Sequence, residues 1–338
     1  LHNNAYRLSV EWSRVEPSEG VFDVEAFQHY RDMLADLKSR GITVMLTLHH
    51  FTNPKWLADD GGWENGRVVL WFERYVARVL EELGGFVDLW CTINEPFVYI
   101  MEGYINVEWP PGQKGFLKSG KVLWNMVRAH RMAYRQIHAY AKRIGKTVLV
   151  GIANNVSSFH VTKKHSIIDS VAVALLDRIA NHSFYFLSRP STHDYLGLNY
   201  YFHFRLDGAW SFLKRAIGFK IKETRYSSFE SSDLGWELFP HGIYDVCLDL
   251  SVYKKPIYIT ENGLATSNDD VRIRSIVGYL LQVYYAIEAG VDIRGYFHWS
   301  LLDNFEWAKG FAPTFGLVAV DRKTMKRTPK PSSEVYAE

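Results

Sequence analysis

The chain has 338 residues, 47% of them hydrophobic, which is enough material for a large core. Lysine plus arginine number 39 and aspartate plus glutamate 37, a balance that gives no electrostatic reason to expect a nucleic-acid partner. Every apolar stretch is interrupted well short of the roughly 18 residues that a membrane span requires, so no membrane partner is expected.

The cysteine content and the start of the chain indicate a cellular compartment. The two cysteines, Cys91 and Cys247, are too few for a disulfide framework, and no signal peptide opens the chain. Cys91 lies in a strand-like run, where a buried thiol is the ordinary expectation. A reducing, cytoplasmic location is therefore expected.

Strand-like and helix-like segments alternate along most of the chain. The apolar runs of strand length are Tyr6–Trp12, Ile42–His50, Val87–Asn94, Thr147–Asn155, Tyr195–Tyr201, Pro256–Thr260 and Ile293–Ser300. Helical periodicity followed by a glycine stop is found over Asp23–Arg40, Val68–Leu83, Val122–Ile144 and Val271–Ala289. This repetition predicts an α/β protein with a parallel sheet, which is either an open doubly wound sheet or a closed barrel.

Polar residues at the strand ends favour the barrel. An open sheet builds its site at one switch point, whereas a barrel gathers all strand ends at one mouth. Here nearly every predicted strand ends in polar residues, and no glycine-rich phosphate fingerprint follows any of them. These residues are His49 and His50, Asn94 and Glu95, Asn154 and Asn155, Asn199 to Tyr201, Glu261 and Asn262, and Trp299 and Ser300.

A (β/α)8 barrel has eight strand–helix units, and seven are visible in this sequence. Since the first predicted strand begins five residues after Leu1, the missing unit is expected upstream. Two internal segments, Arg189–His193 and Leu206–Ser232, also look shortened. We therefore expect one (β/α)8-barrel domain over residues 1–338, with segments that are deleted or not included in this sequence.

Two carboxylate motifs carry most of the chemical information. Thr92–Pro96 (TINEP) and Ile259–Gly263 (ITENG) each end an apolar, β-branched run, and each is followed by residues that stop a strand. Glutamates at the ends of two strands can flank one bond. Glycoside hydrolysis needs this arrangement, with one carboxyl donating a proton and the other attacking carbon.

Simpler interpretations apply to each motif alone. A single strand-end glutamate can cap the next helix. The adjacent pair His49 and His50 suggests a metal, but neighbouring strand residues face opposite ways, so no metal site is predicted. The aromatic content of 15% fits a ring-rich core as well as a sugar-stacking cleft.

The motifs in this order resemble family 1 glycoside hydrolases, the β-glucosidase and β-galactosidase group of (β/α)8 barrels. The resemblance extends from Tyr6–Arg14 (YRLSVEWSR) to Lys326–Pro331 (KRTPKP). Between them it includes Leu198–Tyr201 (LNYY) and Phe297–Trp307 (FHWSLLDNFEW).

The resemblance implies a role for each catalytic residue. Glu95 matches the general acid/base and Glu261 the nucleophile. Arg7 and Tyr201 match residues that support the nucleophile, and Asn199 lies in the same supporting motif. These roles imply carboxyls about 5–5.5 Å apart and retention of anomeric configuration.

The resemblance also implies the sugar contacts. Asn94 matches the residue that binds the 2-hydroxyl, and His50 one that reaches the 3-hydroxyl. Trp299 is expected to stack on the sugar, Glu306 to accept from the 4- and 6-hydroxyls, and Trp307 to add a ring contact. Phospho-glycosidases of this family replace the glutamate with a small residue, so Glu306 favours a sugar without phosphate.

The sequence departs from the family pattern in two places. A first-strand glutamine that binds the 3- and 4-hydroxyls is missing, a loss on the order of 1–3 kcal/mol of discrimination. In addition, Phe51 follows His50 where a tryptophan is commoner.

Three hypotheses follow. The first is a retaining β-glycosidase that acts on small non-phosphorylated β-glucosides or β-galactosides and requires no metal or redox cofactor. The alternative is a sugar-binding or scaffold barrel that hydrolyses weakly because its first strand and loops are truncated. The third, motivated by the shortened loops alone, is a scaffold whose under-filled opening takes up an unrelated apolar ligand, which unexpected absorbance or extra mass would reveal.

Overall fold

The computed structural model describes residues 2–161, 167–206 and 230–338. Most of the segment Leu206–Ser232, which was predicted to be shortened, therefore lies outside the described residues. The part of the apolar-ligand hypothesis that depends on this segment lies outside them as well. Packing divides the chain into an N-terminal unit, formed by Asn3–Asn154 and Phe184–Gly197, and a C-terminal unit, formed by Leu1–His2, Asn155–Ser183 and Leu198–Glu338.

The N-terminal unit is built on parallel strands in the order β1-β2-β3-β4. They are β1 (Ala5–Ser9), β2 (Thr43–His49), β3 (Leu89–Asn94) and β4 (Leu149–Asn155), the last residue of β4 belonging to the C-terminal unit. Strands β2 and β3 are buried along almost their whole length, as expected of parallel strands covered on both faces.

Helices surround these strands in the N-terminal unit. They are α1 (Trp12–Val15), α2 (Val24–Ser39), α3 (Lys55–Asp59), α4 (Val68–Leu83), α5 (Pro96–Ile100) and α6 (Phe116–Arg143), with α8 (Ser183–Ser188) beginning at the unit boundary. Tighter 3-10 turns cover Gly62–Glu64, Gly84–Phe86 and Pro190–Thr192, and a π turn covers Met101–Ile105.

The helix termini follow the local sequence. Asp23 caps α2 by accepting a hydrogen bond from the amide of Ala26 at 2.9 Å, and Gly41 follows the helix with a positive φ of 73°. Helix α4 has the predicted bounds. Helix α6 begins six residues before the predicted Val122 because its first turn carries the exposed Phe116 and Leu117, which give no one-sided apolar pattern.

The C-terminal unit contains the remaining strands. Strands β6 (Leu196–Tyr200), which begins at the unit boundary, β8 (Ile257–Asn262) and β9 (Ile293–His298) follow one another in the order β6-β8-β9. Two further pairs are β5 (Ser158–Val161) with β7 (His203–Leu206), which are parallel, and β10 (Val318–Val320) with β11 (Arg327–Pro329), which are antiparallel.

The helices of this unit are α7 (Ile167–Asp177), α9 (His241–Leu250), α10 (Asp269–Glu288) and α11 (Pro331–Ala337). A π turn, Arg178–His182, continues α7, and 3-10 turns cover Ser251–Tyr253 and Trp307–Lys309. Helix α10 matches the prediction to within two residues at each end.

All seven predicted strands form, and the four shorter strands β5, β7, β10 and β11 were not predicted. Each has only three or four residues, too few for a periodic pattern to stand out. Within the residues that the structure describes, none of the helices is both long and apolar enough to cross a membrane.

Candidate active site

Glu95 stands at a sharp change of backbone direction in the N-terminal unit. Strand β3 is buried throughout and ends at Asn94, and Pro96 opens helix α5. A residue before proline is disfavoured in the right-handed helical region, and Glu95 adopts φ 44° and ψ 62°. Its amide donates to the Ala153 carbonyl at 2.7 Å. A left-handed conformation at a non-glycine residue costs energy, and such strain is typical of functional positions.

Asn94 links two of the other predicted site residues. Its Oδ1 accepts from Nη2 of Arg7 at 2.7 Å, and its Nδ2 donates to Nε2 of His50 at 3.2 Å. Burial lowers the pKa of His50 well below its usual value, and the charge of Arg7 lowers that pKa further. A neutral imidazole is the form that can accept this hydrogen bond. Arg7 is the central residue of β1, two residues before the strand ends.

The adjacent histidines face different surroundings. His49 is buried, and its Nε2 lies 3.1 Å from Oδ1 of Asn53 and 3.2 Å from the indole nitrogen of Trp63. Burial lowers the pKa of His49 to about 4, against an opposing effect of the bond to Asn53. Since His50 bonds instead to Asn94, the two rings have separate partners, as expected of neighbouring strand residues.

Glu261 lies near the end of β8 in the C-terminal unit and is only 4% exposed. Its Oε2 accepts a hydrogen bond from the hydroxyl of Tyr201 at 2.9 Å. A hydrogen bond of this length to a carboxylate fixes its orientation. The predicted link between Tyr201 and Glu261 is therefore present in the structure.

Hydrogen bonds also fix the neighbours of Glu261 in the chain. Thr260 donates from Oγ1 to Oδ1 of Asn199 at 2.6 Å. Asn262 donates from Nδ2 to the Tyr200 carbonyl and accepts from the Tyr296 hydroxyl, both at 2.7 Å. Thr260 and Tyr296 were not predicted as supporting residues, although Thr260 belongs to the glutamate motif itself.

Gly263 is required by a close approach of the backbone. The Trp299 amide donates to the Asn262 carbonyl at 2.9 Å, and a Cβ on Gly263 would lie 1.8 Å from the Trp299 carbonyl oxygen. The sequence indicated this glycine as a residue that ends the strand. In the structure, the absence of a Cβ on this glycine also leaves room for the Trp299 carbonyl oxygen.

Glu306 is held by its own loop in the C-terminal unit. Its Oε2 accepts from Nδ2 of Asn304 at 2.8 Å, and its amide donates to the Gly310 carbonyl at 2.7 Å. Burial raises the pKa of Glu306, the bond from Asn304 opposes this, and the charge of Glu261 raises the pKa again. Asn304 was not predicted as a site residue, although it lies in the quoted motif Phe297–Trp307. Trp307 follows with a positive φ of 46°.

All ten predicted site residues lie in the described part of the chain. The N-terminal unit contains Arg7, His50, Asn94 and Glu95, and the C-terminal unit contains Asn199, Tyr201, Glu261, Trp299, Glu306 and Trp307. Within the units, hydrogen bonds connect Arg7, Asn94 and His50, and separately Tyr201 and Glu261.

Residues able to hold a metal ion lie elsewhere. In the part of the chain that the structure describes, one group of His, Cys, Asp and Glu side chains has three ligand atoms close together, namely Asp177, His182 and Asp249. None of these was predicted as a site residue.

Comparison with known proteins supplies the family. The family model described as glycosyl hydrolase family 1 matches residues 1–187 and 186–338. A β-galactosidase of Sulfolobus acidocaldarius is 33% identical over 99% of this chain and 80% of its own length. A galactolipid galactosyltransferase of Arabidopsis thaliana is 34% identical over 98% of this chain and 54% of its own length.

Solved structures agree with this relationship. A β-glycosidase from Pyrococcus horikoshii is 38% identical and superimposes with a TM-score of 0.90, over 99% of this chain and 79% of that protein. The chain therefore belongs to glycosyl hydrolase family 1, with the (β/α)8-barrel fold of that family, and is a β-glucosidase-like glycoside hydrolase.

Proposed function

We propose that this chain is a retaining β-glycosidase that hydrolyses non-phosphorylated β-glucosides and β-galactosides through a covalent glycosyl-enzyme intermediate. The observation that carries the proposal is the hydrogen bond from Tyr201 to Glu261. It fixes the position of one buried strand-end carboxylate, as attack on the anomeric carbon requires. The second buried strand-end carboxyl, Glu95, is the proton donor.

In the first step, Glu95 protonates the glycosidic oxygen while an Oε atom of Glu261 attacks the anomeric carbon. The bond to the leaving group breaks and an ester to Glu261 forms. In the second step, Glu95 removes a proton from water, which attacks the same carbon and releases Glu261. Two inversions restore the β configuration. Both steps use carboxyl chemistry, so no metal or redox cofactor is proposed.

The remaining predicted residues either contact the sugar or position other residues of the site. We assign Asn94 to the 2-hydroxyl, because Arg7 and His50 hold its amide in one orientation. His50 contacts the 3-hydroxyl, Trp299 stacks on the ring and Trp307 adds a further contact. Arg7 and Asn199 are positioning residues, Asn199 through its bond to Thr260.

Glu306 is the basis for proposing a sugar without phosphate. A carboxylate near the 4- and 6-hydroxyls accepts hydrogen bonds from them and repels a 6-phosphate. We expect kcat/KM for an aryl β-glucoside to exceed that for its 6-phosphate by at least about 100-fold. In Glu306→Gln, the ratio of these two kcat/KM values should be smaller, because the negative charge that repels the phosphate is removed. Equal values for the two substrates in the unaltered enzyme would refute this assignment.

Small anions test the two catalytic roles separately. With an activated β-glucoside and azide, Glu261→Ala is expected to yield the α-glucosyl azide, because azide attacks from the vacated side. Under the same conditions Glu95→Ala is expected to yield the β-glucosyl azide, because azide then opens the glycosyl-enzyme. NMR of the products identifies each anomer. The same anomer from both variants would contradict the assignment.

Water is the proposed acceptor. Since the Arabidopsis relative is named a galactosyltransferase, the intermediate of this chain could also pass its sugar to a hydroxyl group. We expect free sugar and aryl alcohol to be released in equal amounts from an aryl β-glycoside. A clear deficit of free sugar would indicate transfer instead.

A further inference from the structure

Three side chains of the C-terminal unit converge at a place that the proposed function does not use. One ligand atom from each of Asp177, His182 and Asp249 lies within 4.8 Å of the others. We propose that these residues bind one divalent first-row transition-metal ion, such as Zn²⁺, as a structural site joining the end of α7 to α9.

A π turn brings the first two of these residues together. Asp177 ends α7, and His182, five residues later, ends the turn Arg178–His182. On an α-helix, side chains five residues apart diverge by about 140°. The wider π turn reduces that angle, and such turns are frequent at functional sites. Oδ2 of Asp177 lies 3.4 Å from Nε2 of His182, close to the separation of about 3.4 Å between two ligands of a tetrahedral Zn²⁺ ion.

Neighbouring groups hold both ligands in place. The Tyr253 hydroxyl lies 2.9 Å from Nδ1 of His182, so Nε2 is the nitrogen that faces the carboxylates. Asn181 donates from Nδ2 to Oδ1 of Asp177 at 2.6 Å, and both sides of its amide bond the backbone of Ser157. Metal-binding histidines and carboxylates are typically oriented by such outer hydrogen bonds.

Asp249, on α9, supplies the third ligand. It forms a very close ion pair with Nε2 of His182 and is about one-third exposed, whereas the His182 side chain is 4% exposed. To admit a metal ion, this carboxylate must withdraw by at least roughly 0.5 Å, the difference between an ordinary hydrogen bond and the ligand spacing of a tetrahedral ion. Its exposure provides a path for the ion and room for water as the fourth ligand.

The donor set selects the class of ion. One imidazole nitrogen with two carboxylate oxygens suits Zn²⁺, Co²⁺ or Mn²⁺, whereas Ca²⁺ and Mg²⁺ prefer oxygen ligands alone. The alternative is an ion pair between a protonated His182 and its two carboxylates, with no metal. The two cases differ in whether the site binds a metal ion saturably.

The test is a titration of the chelator-treated full chain with Co²⁺, followed by its ligand-field absorbance, and then displacement by Zn²⁺. We expect one Co²⁺ per chain, released by one equivalent of Zn²⁺. His182→Gln and Asp249→Asn should weaken binding by more than 100-fold. Tyr253→Phe, which keeps the ring, should weaken it by about 10- to 100-fold.

His138→Gln is the matched control. His138 also bonds an aspartate, with Nε2 2.7 Å from Oδ2 of Asp194, and among the described residues no second carboxylate joins this ion pair. This variant should bind Co²⁺ as the unaltered chain does. Absence of saturable binding in the unaltered chain, or an affinity for Co²⁺ in His182→Gln and Asp249→Asn equal to that of the unaltered chain, would overturn the proposal. If His182→Gln does not fold, Asp249→Asn decides the outcome, because the Asp249 side chain is about one-third exposed and circular dichroism can confirm the fold of the variant.

Discussion

Tyr201 offers the most direct residue-scale test of how Glu261 is held. Its hydroxyl donates to Oε2 of Glu261 at 2.9 Å. A hydrogen bond to a charged group contributes about 1.5–3 kcal/mol, so Tyr201→Phe should lower kcat/KM for an aryl β-glucoside by roughly 10- to 100-fold. Tyr134→Phe is the control, because Tyr134 makes the same 2.9 Å bond to Asp194, a carboxylate without a role in the mechanism. Equal losses in both variants would point to a general structural effect.

Asn304 provides a second residue-scale prediction. It holds Oε2 of Glu306 at 2.8 Å, and without it the proposed acceptor of the 4- and 6-hydroxyls is free to turn. Asn304→Ala should raise KM for an aryl β-glucoside roughly 5- to 10-fold, with a smaller change for the 6-deoxy sugar, which lacks one of the two hydroxyls. In Asn106→Ala, which breaks a similar 2.9 Å bond from Asn106 to Glu102, KM should be unchanged. An equal rise for both sugars in Asn304→Ala would argue against the assigned contact.

For single residues, the sequence predicts which side chains belong to the site better than it predicts their backbone conformation and contacts. The motifs single out Glu95 and Glu261 because both end apolar runs. The left-handed backbone of Glu95 is not foreseeable, since proline favours an extended conformation for the residue before it. The close approach of Trp299 to Gly263 is not foreseeable, because it depends on two segments about 36 residues apart in sequence. The roles of the sugar contacts come from resemblance rather than from spacing.

At the scale of elements, the start of α2 gives a stability prediction. The Asp23 side chain satisfies the amide of Ala26 at 2.9 Å, one of the otherwise unpaired groups of the first turn. Asp23→Ala should lower the free energy of unfolding by about 1 kcal/mol in urea titrations, without changing kcat/KM. The exposed Asp32→Ala in the same helix should cost less than about 0.5 kcal/mol. Equal losses in the free energy of unfolding for Asp23→Ala and Asp32→Ala would show that the Asp23 cap does not stabilise the helix.

The predictability of the elements follows from their length. Seven strands and four long helices were predicted because each repeats its apolar pattern over enough residues to set a period. Strands β5 and β7 have four residues each, too few to set a period, and the π turn Arg178–His182 has no established sequence pattern. Hence the cluster of Asp177, His182 and Asp249 was not predicted, since its members meet only through that turn and a distant helix.

For the whole molecule, buried histidines predict the response to acid. Burial lowers the pKa of His49 to about 4, and those of His130 and His298 to about 3. In the unfolded chain a histidine titrates near 6.5. Below about pH 6.5 the unfolded state therefore binds protons that the folded state does not. Each such histidine then costs about 1.4 kcal/mol of stability per pH unit as the pH falls from 6.5 towards its folded-state pKa, and costs nothing above pH 6.5.

His130→Gln isolates one of these contributions. His130 is fully buried, with Nδ1 2.7 Å from Thr92 Oγ1 and Nε2 3.0 Å from the Thr192 carbonyl. In urea unfolding, the dependence of stability on pH between about pH 6.5 and 5 should be smaller by about 1.4 kcal/mol per unit in the variant, with no difference in slope above pH 6.5. An unchanged slope would mean that His130 is not held neutral in the folded state.

The proposed hydrolysis depends on a covalent bond that Glu261 forms to the sugar. The most direct measurement is the intact and peptide mass of the chain after incubation with an activated 2-deoxy-2-fluoro-β-glucoside, which forms the glycosyl-enzyme faster than water removes it. We predict one sugar adduct per chain, on the peptide containing Glu261, and none in Glu261→Ala. A folded protein that turns over aryl β-glucosides but carries its adduct on another residue, or carries none, would contradict the mechanism.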